Sequence, residues 1–228
     1  MEIVPDTISY TISYLALGDS YTIGESVEAA GRWPVQLAAR LRDAGIAISE
    51  PRIIATTGWT TDELSAAMDE AEPLGGWDFV SLLIGVNNQY RGRSVDDYVG
   101  EFHRLLRRAI ALAGDRVDRV LVLSIPDWGV TPFAFASGRD REAIAADLDA
   151  YNAAAHDLCV AHGVAFVDIT GISRDRGGAQ EMLADDGLHP SATQYARWAQ
   201  AALPVAVARL RAQTPDSGPS PACDRGNA

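Results

Sequence analysis

Lysine is missing altogether: all 19 basic side chains of the 228-residue chain are arginines. Whatever coding bias lies behind this, a Schiff-base lysine, a phosphate-loop lysine and a Ser–Lys dyad are all excluded. Cysteine is nearly missing. Cys159 falls on a helical pattern and Cys223 in a Pro/Ser/Gly-rich tail, so no metal cluster and no disulfide framework is expected. Long apolar runs are absent too, and none approaches the length of a membrane span. The opening MEIVPDTISYTISY carries a tandem TISY but no basic region followed by an apolar one. No secretory signal is therefore visible. The expected location is cytoplasmic, or periplasmic or secreted where a leader has been removed. Basic charge is scarce against 31 acidic residues, and the formal net charge of -12 argues against a nucleic-acid partner. Glycine-rich phosphate motifs and the G-x-S-x-G elbow are also lacking.

What is present is the composition of a soluble globular domain, 47% hydrophobic and 22% charged. Short apolar runs near 13–17, 52–56, 78–84, 120–124 and 164–168 read as strands. Longer amphipathic patterns near 33–44, 61–72, 95–113, 140–161 and 192–212 read as helices. The third is the clearest, with Val95, Tyr98, Val99, Phe102, Leu105, Leu106, Ala109 and Ile110 on one stripe. Strand and helix in alternation predict an α/β fold, a parallel sheet with helices on both faces. Thr60–Glu63 and Ser191–Gln194 fit capping boxes, and Pro204 predicts a kink or break in the last helix. One domain is expected over residues 1–213, followed by a disordered tail over 214–228.

The segment YLALGDSYTIGE raises the first chemical question. An apolar strand stops at Gly18-Asp19-Ser20. Either the three form a simple turn, or Ser20 is a nucleophile at the carboxyl end of a strand, where open α/β sheets hold their sites. A base must then come from four histidines. His103 reads as a solvated surface residue, His156 lies mid-helix beside Asp157, and His162 suits the end of its helix. His189 differs. It stands in the irregular LADDGLHPSATQ, with Pro190 holding it extended and Asp186 three residues back across Gly187. That spacing can bring a carboxylate to one imidazole nitrogen and leave the other for a serine. Two further strands end on site-like stretches, RIIATTGWTT at Gly58 and DFVSLLIGVNNQY at Asn87-Asn88. Both offer N–H groups at the same sheet edge for an oxyanion.

GDSYTIGE with Ser20, TTGWTT with Gly58, IGVNNQ with Asn87 and DGLHP with Asp186 and His189 resemble the four sequence blocks of the SGNH hydrolases, also called GDSL esterases/lipases. They occur in the family's order from Gly18 to Pro190. The resemblance implies a flavodoxin-like, three-layer α/β/α sandwich with a five-stranded parallel sheet. It also implies a cofactor-free triad, with no metal, in which Ser20 is the nucleophile, His189 the base and Asp186 the acid. The Ser20 N–H, the Gly58 N–H and the Asn87 side chain would form the oxyanion hole. Asp19 would brace the turn, with Gly18 making it. The sequence departs from the family where Asn88 stands in place of the usual Asp.

The substrate side is less defined. Trp128, Val130, Phe133 and Phe135 in PDWGVTPFAFASGR would either form an apolar wall for a substrate or pack the loop onto the core. Arg91 and Arg93 would either meet an anionic head group or sit in a solvated loop. The expected activity is hydrolysis of small-molecule carboxylic esters with short acyl chains. Alternatives are a thioesterase/lysophospholipase, a carbohydrate O-deacetylase, and a non-catalytic flavodoxin-like binding module. No oligomeric state is implied, and a monomer is compatible with the sequence.

Overall fold

A computed structural model describes residues 10–212. The tandem TISY begins before this span, and the tail with Cys223 lies outside it. In chain order the elements are β1 (Tyr14–Gly18), α1 (Ser20–Ile23), α2 (Trp33–Asp43), β2 (Arg52–Ala55), α3 (Thr61–Glu70), β3 (Phe79–Leu83) and α4 (Val86–Tyr90). They continue with α5 (Val95–Leu112), β4 (Val120–Leu123), α6 (Pro132–Ser137), α7 (Arg141–His162), β5 (Ala165–Val167), α8 (Thr170–Arg176) and α9 (Ala192–Arg211). The strands form one parallel sheet in the order β2-β1-β3-β4-β5.

The strand order follows from burial. β1 and β3 are buried at every residue, which suits neighbouring central strands covered by helices on both faces. Right-handed crossovers then send α2 to one face and α3, α5 and α7 to the other. α2 packs on α9, and α5 packs on α7 and α3. Leu37 and Leu41 of α2 and Tyr195, Trp198, Ala202 and Ala206 of α9 are all buried in the core. The first crossover runs leftward from β1 to β2 and the second returns to β3, so the order reverses between β1 and β3. A crevice opens at that switch point, outside the carboxyl ends of the strands.

Three expectations need correction. α9 runs unbroken through Pro204. Pro204 and Gln200 are both exposed, so water can take the carbonyl that the missing N–H leaves free. Gly18 does not make a turn; it is the last residue of β1. A Cβ there would lie 2.2 Å from Thr22 Oγ1 and 2.5 Å from the Leu83 carbonyl, so glycine is required by close approach. His103 is not simply solvated: its Nε2 lies 2.9 Å from Nε2 of His162, joining α5 to the end of α7.

Candidate active site

β1 delivers Ser20 to the crevice. Ser20 opens α1, and Asp19 caps that helix by accepting the Tyr21 N–H on Oδ1 at 3.0 Å. Asp19 is 1% exposed, and its Oδ2 is buried without a well-formed hydrogen bond. Burial pushes its carboxyl up to about 7, partly offset by the N–H groups of Tyr21, Asp19 itself and Gly85.

The base and its carboxylate come from one short loop. His189 Nδ1 lies 2.6 Å from Asp186 Oδ2. Asp186 Oδ1 accepts the N–H groups of Leu188 and His189, each at 2.9 Å, and Oδ2 also accepts Ser26 Oγ–H at 3.0 Å. Burial would raise the Asp186 carboxyl, but the His189 hydrogen bond and the two backbone N–H groups outweigh it and hold it at about 2. The loop is closed at its base by Ala184 N–H to the His189 carbonyl at 2.8 Å and by the Leu183–Pro190 bridge. Gly187, at φ +67°, lets it bend back. The neighbouring Asp185 lines a separate surface depression with Pro132 and Leu183.

β3 ends at α4, which carries Asn87 and Asn88. Asn87 Nδ2 donates to the Trp59 carbonyl at 2.9 Å, and among the described residues the Gly58 N–H has no hydrogen-bond partner. Gly58 sits at φ +88°, a left-handed conformation that disfavours any side chain. Arg91 is tied to two neighbouring segments. Its Nη2 donates to the Gly58 carbonyl at 2.6 Å, and Nη1 pairs with Glu63 at 3.1 Å. Arg93 is likewise engaged, with Asp62 at 2.6 Å and Glu101 at 3.5 Å.

Ser20, Gly58, Asn87 and His189 line one cavity of about 210 Å³. Among the described residues, Ser20 Oγ and His189 Nε2 have no hydrogen-bond partner, and such contacts often tighten only when substrate binds. The opposite wall is apolar: Val86, Tyr90, Trp128, Phe133 and Leu188. Trp128 is fixed by its Nε1–H to Gln89 Oε1 at 2.9 Å, and Tyr90 and Phe133 meet it edge-on. Arg139 covers Tyr90 at 4.1 Å from the ring centre. Val130 is not part of this wall; it lines a small crevice beside Pro126 and Thr131. Phe135 is exposed and stacks under Arg141. Read only as the end of a strand, VNNQY gives no signal for Tyr90 and Val86. Read as a helix, its period would have placed Val86 and Tyr90 on a shared face.

Cys159 is buried in the core, and burial alone raises its thiol to about 12, so it is an inert packing residue. No group of three or more His, Cys, Asp or Glu among the described residues has the arrangement of a metal site. No helix among them is long and apolar enough to cross a membrane.

Sheet order, crevice and family together place the molecule among the α/β ester hydrolases. The chain belongs to the GDSL-like lipase/acylhydrolase family, whose family model matches residues 16–197. Solved structures share the fold. The lipase/acylhydrolase from Enterococcus faecalis superposes with a TM-score of 0.67 at 18% identity, covering 87% of this chain and 96% of that one. The protein TesA gives 0.66 at 18% identity, covering 86% and 99%. The acetylxylan esterase Axe2 from Geobacillus stearothermophilus gives 0.65 at 18% identity, covering 86% and 94%. A search of curated protein sequences finds no match. A carboxylic ester hydrolase of this family leaves no place for the non-catalytic binding module.

Proposed function

We propose that the protein cleaves esters of short acyl chains through an acyl-enzyme on Ser20, with His189 as base and Asp186 as acid. The observation that carries this reading is the 2.6 Å His189–Asp186 pair, with His189 lining the same cavity as Ser20. His189 Nε2 takes the Ser20 proton as Oγ bonds to the ester carbonyl carbon. The carbonyl π pair moves to oxygen, which meets the N–H groups of Ser20 and Gly58 and the amide of Asn87. The Asp186 carboxylate keeps the proton on Nδ1 and stabilises the imidazolium. When the tetrahedral intermediate collapses, the C–O bond breaks and His189 returns the proton to the departing alcohol. Water, deprotonated by His189, then releases the acid and regenerates Ser20.

The short-chain preference rests on the cavity. A void of roughly 150 Å³ is enough to hold benzene, so a cavity of about 210 Å³ accommodates a short acyl group. A carbohydrate O-acetyl ester is the second reading. It is favoured by Thr57, whose hydroxyl side chain lines the same cavity as the apolar wall, and Axe2, a structural neighbour, is an acetylxylan esterase. A panel of p-nitrophenyl esters from acetyl to palmitoyl, with lysophospholipid, acyl-CoA and acetylated xylan beside it, ranks these substrates. Labelling with an organophosphonate and locating the adduct by mass spectrometry tests the nucleophile. An adduct on a serine other than Ser20, or full activity in Ser20→Ala, overturns the assignment.

A further inference from the structure

The turn after α1 reaches both loops that complete the site. Ser26 stands at φ +63°, a left-handed conformation that is costly for a residue with a Cβ. In that conformation its Oγ reaches across 160 residues of sequence to donate to Asp186 Oδ2. The neighbouring Glu25 accepts a hydrogen bond from Thr57 Oγ1, next to Gly58. The turn is in its own right fastened to the nucleophile, because the N–H groups of Gly24 and Glu25 both donate to the Ser20 carbonyl at 3.0 Å. Two consecutive side chains thus run from the nucleophile's own helix to the acid loop and to the oxyanion loop. We propose that Glu25 and Ser26 are positioning residues, holding the Gly58 N–H and the Asp186 carboxylate in register with Ser20.

Local strain with no local compensation points to function. Ser26 is exposed, so its hydrogen bond adds little to stability, and its value lies in orientation. Asp186 Oδ1 is already fixed by two backbone N–H groups. Ser26 adds a second partner to Oδ2, the oxygen that His189 uses, and sets the plane in which that oxygen meets the imidazole. Glu25 does the corresponding work for Thr57, while Arg91 holds the next carbonyl from the other side.

The inference rests on the Ser20–His189–Asp186 reading, and its test separates the two. Ser26→Gly removes the hydroxyl while relieving the backbone. On p-nitrophenyl acetate kcat should fall about tenfold, the order of one hydrogen bond to a charged group, with KM unchanged and Tm equal or higher. A merely structural residue would lower Tm and kcat together. In an Asp186→Ala background Ser26→Gly should have no further effect. Glu25→Ala should lower kcat to a similar extent, Glu25→Gln should restore it by keeping an acceptor, and Glu25→Ala should be silent in Thr57→Val. Wild-type kcat in Ser26→Gly and Glu25→Ala, while Asp186→Ala is impaired, overturns this inference alone. The same holds for undiminished effects in the two partner backgrounds. Full activity in Asp186→Ala overturns the triad reading and this inference with it.

Discussion

Asn88 Oδ1 accepts the Thr61 N–H at 3.0 Å, so the amide does the accepting that a carboxylate would do at this position. Its Nδ2 donates to Thr61 Oγ1 at 2.7 Å and to Glu101 Oε2 at 3.3 Å, and the same Glu101 oxygen accepts a hydrogen bond from the Thr61 hydroxyl. A negative charge is present here after all, supplied from α5. Asn88→Asp, which restores the family residue, should therefore destabilise this protein by setting two carboxylates against each other in a buried site. A loss of about 1–3 kcal/mol is expected from the unpaired polar groups. Denaturant midpoints of parent and variant measured at pH 8 check it. A variant as stable as the parent at pH 8 would show that Glu101 is not the partner that matters.

Asn87→Ala should lower kcat by roughly 10²–10³, the usual loss for one oxyanion donor. The Asn87 amide also holds the Trp59 carbonyl, next to Gly58, so part of the effect passes through the second donor. Steady-state kinetics on a short-chain ester should show kcat falling and KM little changed. Asn88→Ala should cost less activity and more stability; the reverse ranking would exchange the two roles.

Asp186→Ala should cost up to ~10⁴ in kcat, and Asp185→Ala little. Only Asp186 touches His189, and Asp185 faces another depression. Both variants should be assayed on one ester after their folding is confirmed. A larger loss in Asp185→Ala would reassign the acid, and small losses in both would leave a Ser–His dyad.

Activity should fall towards acid pH, because an imidazolium cannot accept the Ser20 proton. Asp186 stays ionised down to about 2, so it adds no second step to that limb. The kcat/KM profile should fall from pH 8 towards pH 4, and because the Asp19 carboxyl, raised to about 7, titrates in the same range, Asp19→Asn should be measured beside the parent to separate the two. A rate rising steadily into acid, in folded protein, would contradict a histidine base.

Asp19 sets a stability trend of the opposite kind to a salt-bridged carboxylate. Its folded pKa is raised from 3.8 to about 7 by burial, so its contribution is fully present below the lower value. That contribution is lost as pH rises through the higher one. Asp19→Asn keeps an Oδ1 acceptor for the Tyr21 N–H and removes the charge. Relative to the parent, its Tm should be unchanged or lower near pH 4 and should gain steadily up to pH 8, on the order of a few kcal/mol in stability. A difference independent of pH would mean that Asp19 does not titrate in this range.

The parts of this protein that the sequence alone determined are those carried by local spacing. Apolar periodicity set the five strands and the five long helices, because each buries a face whose period can be counted along the chain. Asp186 and His189 were legible for the same reason: three residues and a glycine join them, so their pairing is a local event. Tertiary structure alone decided the contacts between distant segments. Only folding brings Ser26 to Asp186, Arg91 to the Gly58 carbonyl and His103 to His162. Only the finished crevice shows that Tyr90 lines it and Val130 does not. Arg91 and Arg93 had two readings in sequence because an exposed guanidinium is equally suited to a ligand and to a neighbouring loop. Their carboxylate partners, Glu63 and Asp62 of α3, settle on them only once α3 is packed on α5, the helix that follows the segment carrying the two arginines. Sequence spacing specifies which faces are buried; which side chains meet across those faces depends on the register of whole elements, and that is set by packing the sheet and its helices together.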